Sequence, residues 1–170
     1  MELLELAKAR YSVRKFAEKP VEEEKLQKVL AAGACAPTAK NQQPQKIYVL
    51  ESEDAIEKIR GITRCAFNAP VVLMVCGCKD QAWVNPFNDR SSAEMDCSIV
   101  TTQMMLQAQE LGLGTCWVCW FDTKQTKEAF NIPENEEVFA LLPLGYPAES
   151  SYPSSMHDSR KALEETVVRL

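Results

Sequence analysis

With 170 residues, 46% hydrophobic and 25% charged, the chain is suited to one compact domain, or to one domain completed by a partner subunit, and is too apolar to be disordered. A formal net charge of −5 without a long basic run argues against nucleic acid as the main partner and for a small molecule. Seven cysteines, an odd number set mostly in apolar runs such as VVLMVCGC and TCWVCW, read as reduced core residues rather than a disulfide framework. The opening MELLELAKAR carries two acids in its first five residues, so neither a leader nor a membrane span is expected, and the protein is read as cytoplasmic.

Leu3, Leu4, Leu6 and Ala7 predict one side of a short amphipathic helix that stops near Tyr11. From Pro20, PVEEEKLQKVLAAGACAP has acids in its first turn, apolar positions at Leu26, Val29, Leu30 and Gly33, and a stop at Pro37, which predicts a second helix. QKIYVLES reads as a strand, and Ser52 as the N-cap of a helix with apolar positions at Ala55, Ile56 and Ile59. APVVLMVCGC is too uniformly apolar for a half-exposed strand and is expected at the centre of a sheet, covered on both faces.

Residues 79–91 read as a loop, with Trp83 and Phe87 placed either to cover a bound aromatic substrate or to pack over the core edge. About twenty residues from Ser92 to Leu111 lack Gly and Pro and are apolar or small on nearly every side, which predicts a helix buried all round and in part at a subunit interface. LGLG ends it, TCWVCWF is strand-like, Asp122 or Thr123 caps a helix over DTKQTKEAFNI, and EEVFALLPLGYP is a second buried strand. Helices and strands alternate around one sheet, in one domain over residues 1–170, with no repeat and no linker.

Two stretches carry chemistry. RYSVRKF, residues 10–16, concentrates two arginines, a lysine and a serine hydroxyl in an acidic chain, which suits a phosphate dianion; a solvated basic turn would show the same residues. APTAKNQQPQ, residues 36–45, offers neutral donors and acceptors that suit a polyol or the edge of a heterocycle, or make an ordinary polar loop. A rival reading rests on CWVC, residues 116–119, with Cys76 and Cys78 as a second close pair: a thiol oxidoreductase or a four-cysteine metal site. In a strand, however, Cys116 and Cys119 point to opposite faces and cannot easily share a metal, so core cysteines and no metal are expected. His157, the only histidine, lies in a serine-rich loop and is expected to be exposed rather than a ligand or base. Glu94 and Asp96 fit a polar interface or a cap and receive no catalytic role.

Together the two stretches resemble the nitroreductase family of flavin mononucleotide (FMN) enzymes, which open with Arg-x-Ser-x-Arg/Lys and continue with Ala-Pro-Ser/Thr-x-x-Asn-x-Gln-Pro. LGLGTCWVCWFD (111–122), LLPLGYPAE (141–149) and SRKALEETV (159–167) are similar to later family segments in the same order. Three positions depart from the pattern: Gln45 where the family usually has Trp, Cys119 with Trp120 at the usual small residue, and Tyr11 in place of a frequent second arginine. The resemblance implies an α+β fold with a central, mostly antiparallel sheet flanked by helices, in an intertwined homodimer.

For the site, it implies that Arg10 and Ser12 bind the FMN phosphate with help from Arg160 or Lys161, and that Arg14 faces the pyrimidine edge of the flavin. It implies that Pro37, Thr38, Ala39 and Asn41 reach the cofactor of the other subunit. The backbone of Trp117, Val118, Cys119 and Trp120 would pass the redox edge, with the Cys119 amide bonding flavin N5. The implied activity is ping-pong hydride transfer from NADH or NADPH through flavin N5 to a small acceptor such as a nitroaromatic or quinone, without a catalytic side chain. Another reaction on the same fold, such as dehalogenation or flavin breakdown, and a non-catalytic flavin-binding redox sensor stay open.

Overall fold

The computed structural model describes residues 2–170. Four strands, β1 (Gln45–Leu50), β2 (Val71–Cys78), β3 (Gly114–Thr115) and β4 (Glu136–Gly145), form one antiparallel sheet in the order β1-β2-β4-β3. Six helices surround it: α1 (Leu3–Ala9), α2 (Glu23–Ala34), α3 (Glu53–Ile62), α4 (Ala93–Glu110), α5 (Thr123–Phe130) and α6 (Leu163–Thr166).

All eight residues of β2 are buried, as its unbroken apolar run predicts, because the alternation of a strand sends its side chains into two separate cores. Val71, Leu73 and Val75 meet Leu26 and Val29 of α2 and Cys97, Val100 and Met104 of α4. Val72, Met74 and Cys76 meet Ile56 and Ile59 of α3 and Ile132 just after α5. Ser52 caps α3, its hydroxyl accepting from the Ala55 N–H at 3.2 Å, and the Asp122 side chain caps α5 by accepting from Gln125 N–H at 2.8 Å.

A bulge marks the β2–β4 pairing. Val75 pairs with Ala140 but Cys76 with Val138, so Phe139 is the extra residue and joins Ala140 on the α4 face. Gly77 gives it room: a Cβ there would lie 2.6 Å from the Phe139 ring and 3.1 Å from Cys97 Sγ.

The structure qualifies three of the expectations. The apolar side of α1 forms as predicted, yet only Leu6 is buried; Leu3 and Leu4 are about two-thirds exposed at 68% and 66%. The long helix α4 is not buried all round: Ala93, Asp96, Cys97, Val100, Thr101, Met104, Met105 and Ala108 face inward, while Met95 and Ile99 are exposed. One chain covers only one side of this helix. The expected strand at TCWVCWF is only partly regular. Its register against β4 is continuous, with Gly114 opposite Gly145, Thr115 opposite Leu144 and Val118 opposite Leu141, but Pro143 has no N–H to give and interrupts the ladder.

The exit of β4 is clamped to the helices. Lys25 Nζ donates to Tyr146 Oη at 2.8 Å and to the Leu111 carbonyl at 2.9 Å, and Tyr146 Oη donates to Glu22 Oε2 at 2.6 Å. Lys19 Nζ lies 3.8 Å from the centre of the Tyr146 ring. The Tyr146 hydrogen bond, with the charges of Lys19 and Lys25 behind it, lowers the Glu22 carboxyl from 4.5 to about 2. A depressed carboxyl stabilises the fold fully above its unfolded value and loses that contribution as pH falls through the folded one.

The stability advantage of wild type over Glu22→Gln is therefore expected to be constant above pH 4.5 and to shrink toward zero near pH 2, as read from denaturant midpoints across that range. A second prediction concerns Gly114, whose absent Cβ would fall on the Val13 side chain, 2.8 Å from its Cβ, and 3.1 Å from Pro147 Cγ. Gly114→Ala is expected to cost about 1–3 kcal/mol in equilibrium unfolding, the range for overpacking a dry contact.

Candidate functional site

The basic segment adds itself to the open edge of the sheet. The Val13 N–H donates to the Thr115 carbonyl at 2.9 Å, and Ser12 bridges Thr115 in parallel. Further on, the Ala17 N–H donates to the Tyr146 carbonyl at 2.8 Å and the Ala148 N–H to the Lys15 carbonyl at 3.0 Å. The segment is extended and Val13 is wholly buried, so Ser12 and Arg14 project from the opposite side.

There they meet the C-terminal segment. Arg10, Tyr11, Ser12, Arg14, Ser154, Met156, His157 and Arg160 line a cavity of about 190 Å³. Tyr11 Oη donates to Ser151 Oγ at 3.2 Å, and Arg160 Nη1 donates to the carbonyls of His157 and, at 3.0 Å, Ser159. Among the described residues, no carboxylate lines the cavity and neither Arg10, Arg14 nor Arg160 is in an ion pair. Three guanidinium groups beside a serine hydroxyl, without an acid to neutralise them, are a ready receptor for a dianion.

His157 corrects an expectation. It is half-buried, closes the cavity wall, and donates from Nε2 to the Lys8 carbonyl at 3.0 Å. Nothing in the local sequence separates it from an exposed loop histidine; only the return of the chain end to α1 does so. Lys161 is exposed and does not line the cavity.

Residues 117–120 leave the sheet edge beside β4. Val118 is buried and exchanges both backbone bonds with Leu141 at 2.9 Å. In an antiparallel ladder the next residue turns its N–H away from the partner strand, and the Cys119 N–H has no acceptor among the described residues. Trp117 Nε1 donates to Cys119 Sγ at 3.2 Å, and Trp120 is 74% exposed. Cys116 is buried and Cys119 exposed, so the pair does not converge. All seven thiols are free, and burial pushes those of Cys76 and Cys97 up to about 12.

The loop after α2 lies apart from the basic cavity of its own chain: Pro37, Thr38, Ala39 and Asn41 do not line it. Lys40, Asn41 and Gln43 adopt left-handed φ angles of 51°, 56° and 50°. Such conformations cost about 1–3 kcal/mol each outside glycine, less for Asn, and persist only where the surroundings impose them. Thr38 Oγ1 accepts from the Gln43 N–H at 3.0 Å, and Asp96 Oδ1 accepts from the Ala39 N–H at 2.9 Å. At the loop exit, Gln45 Oε1 is buried with no hydrogen-bond partner among the described residues. Asp96 is a residue whose task sequence reasoning missed, because its spacing from Ala39 is 57 positions.

The stretch at 79–91 is a loop, as expected, but a built one. Val84 bridges Ser91, the Ser92 N–H donates to the Trp83 carbonyl at 2.8 Å, and Asn85 Oδ1 accepts from the Phe87 N–H at 2.9 Å. Phe87 stands at the tip, 95% exposed, while Trp83 is half-buried.

Comparison with known proteins bears on this arrangement. The family model described as Nitroreductase family matches residues 7–68 and 63–146. The fold is similar to a nitroreductase family protein from Clostridium difficile 630, with a TM-score of 0.92 and 41% identity over 99% of this chain and 98% of that one. It is also similar to an FMN-dependent nitroreductase from Clostridium difficile R20291, with a TM-score of 0.73 and 28% identity over 94% of this chain and 96% of that one. In sequence, the chain is 33% identical over 163 residues to a Methanothermobacter thermautotrophicus protein provisionally named NADH dehydrogenase/NAD(P)H nitroreductase, covering 88% of this chain and 80% of that one. The match runs without a gap from the end of α1 to the exit of β4, and the chain belongs to the nitroreductase family.

Proposed function

We propose that the protein is an FMN-dependent oxidoreductase that passes a hydride from NADH or NADPH to a small electron acceptor such as a nitroaromatic or quinone, in a ping-pong cycle. The observation that carries this reading is the cavity of about 190 Å³ lined by Arg10, Ser12, Arg14 and Arg160 and by no carboxylate. It fits a phosphomonoester in charge and donor geometry. Bound there, FMN would supply the two-electron chemistry that the side chains lack.

The chain's own groups do the rest. Arg10, Arg160 and Ser12 bind the phosphate, and Lys161 lies next in sequence to add charge. Arg14, on the same side of the extended segment as Ser12, places a cation toward the pyrimidine edge, where it favours an anionic ring. The unpaired Cys119 N–H, on the backbone from Trp117 to Trp120, is a donor for the redox edge. Pro37, Thr38, Ala39 and Asn41, away from the cavity of their own chain, serve the cofactor of a second subunit. The hydride step asks for no acid or base side chain, and a proton for the reduced acceptor comes from water.

A homodimer of this single domain is part of the reading. What supports it is apolar surface left bare by one chain: Leu3 and Leu4 on α1, Met95 and Ile99 on α4, and Leu163, Val167, Val168 and Leu170 at the C-terminal end. Sedimentation equilibrium is expected to give twice 19.1 kDa; a monomer at micromolar concentration would remove the second subunit from the site.

The deciding experiment is the visible spectrum of the purified protein before and after anaerobic addition of NADH and then NADPH. Flavin absorption that bleaches identifies the donor, whereas flavin that persists with both points to a binding protein without turnover. Arg10→Ala is expected to weaken FMN binding by about 10- to 100-fold, as loss of a hydrogen bond to a charged group implies. Unchanged FMN content in that variant would overturn the placement of the phosphate.

A further inference from the structure

The loop after α2 is shaped by itself and placed by something else. Its internal bonds, Asn41 N–H to the Thr38 carbonyl at 2.9 Å, Gln42 N–H to the Ala39 carbonyl at 3.1 Å and Gln43 N–H to Thr38 Oγ1 at 3.0 Å, all close within the loop. They support the left-handed residues Lys40, Asn41 and Gln43 but hold the loop to nothing. Among the described residues, one hydrogen bond joins residues 37–43 to the body of the fold: the Ala39 N–H donating to Asp96 Oδ1 at 2.9 Å.

Asp96 sits in the first turn of α4, 3% exposed, where a carboxylate suits the helix dipole. Its other oxygen, Oδ2, accepts from the Ser92 hydroxyl at 2.8 Å. Ser92 in turn donates its N–H to the Trp83 carbonyl at 2.8 Å, at the base of the Phe87 hairpin. Both carboxylate oxygens are thus used, one on the loop at Ala39 and one on Ser92, the buried N-cap of α4, and a buried carboxylate with two donors keeps a fixed rotamer.

We propose that Asp96 is a positioning residue for flavin binding: it sets where the strained loop at 38–43 stands, so that the loop's neutral donors and acceptors meet the sugar-alcohol and ring edge of the cofactor. This rests on the FMN reading above. The unpartnered Gln45 Oε1 at the loop exit agrees with it, because a buried acceptor there is satisfied by a ligand hydroxyl or N–H. The loop's own bonds set its shape, and the Asp96 bond sets its place. Without the Asp96 bond the loop keeps its own turns but no hydrogen bond among the described residues ties it to α4, and it no longer meets the cofactor in one position.

Asp96→Asn keeps an acceptor for Ala39 and a partner for the Ser92 hydroxyl, so it separates position from charge. Asp96→Ala removes both contacts. The test measures, on the full chain, FMN affinity by flavin fluorescence, inorganic phosphate affinity by competition against FMN, and amide hydrogen exchange over residues 38–43. Asp96→Ala is expected to weaken FMN by about tenfold or more and to speed exchange in the loop, with phosphate affinity unchanged and Asp96→Asn within about threefold of wild type.

Equal FMN affinity in wild type and Asp96→Ala would overturn the proposal, as would a parallel loss of FMN and phosphate accompanied by a lower thermal midpoint. If Asp96→Ala does not fold, Ala39→Pro removes the same bond from the loop side, and wild-type FMN affinity in that variant would overturn the proposal equally. Wild-type protein that takes up no FMN at all would instead refute the flavin reading, and the positioning role with it.

Discussion

Burial of β2 on both faces is the constraint from which the rest of the molecule follows. A strand of eight apolar residues cannot face water on either side, so each face must be covered by helices. Helices α2 and α4 cover one face, and α3, with Ile132 after α5, the other. Both edges of β2 are also taken, by β1 and β4. Since the sheet has only four strands, β3 is left at an edge two residues long, and the open hydrogen-bonding groups of that edge recruit the basic segment. The candidate site is a consequence of finishing the sheet.

Electrostatics then give the edge its character. The chain is acidic, yet three arginines gather around one cavity with no carboxylate among its lining residues. Like charges brought together without counterions repel, and the arrangement is tolerable here because Arg14 and Arg160 remain exposed to solvent. Among the described residues, lysines on the surface make ion pairs, as Lys8 with Glu5, Lys28 with Glu24 and Lys79 with Glu137 show. The gathering of three guanidinium groups around one cavity with no carboxylate in its lining is what points to an anionic ligand. The loop after α2 differs in chemistry, carrying the Thr38 hydroxyl and the neutral amides of Asn41, Gln42 and Gln43 beside a single lysine, Lys40.

Helix α4 connects these parts. Its inward side completes the first core, its first turn holds the Asp96 carboxylate, and its outward side presents Met95 and Ile99. One element therefore serves packing, loop placement and exposed apolar surface, which accounts for its lack of a clear polar face. A helix with three neighbours of different polarity cannot be amphipathic in the ordinary sense.

Much of this was legible in the order of the residues. The unbroken apolar run of β2, the caps at Ser52 and Asp122, the stop after α2 and the basic cluster at Arg10–Phe16 are local signals, because each depends on neighbours within a few positions. The motifs also sufficed to identify the family. What the sequence could not disclose lies in contacts between distant positions: His157 reaching the Lys8 carbonyl, Asp96 reaching Ala39, Gly114 yielding to Val13, and the bulge at Phe139. It also could not say which side of α4 one chain leaves bare, since a side chain of either kind is buried or exposed only by what folds over it. Short-range periodicity and capping were decided by the sequence alone, while the assembly of the cavity and the anchoring of the loop were decided by tertiary structure, because hydrogen bonds spanning 57 or 149 positions have no local signature.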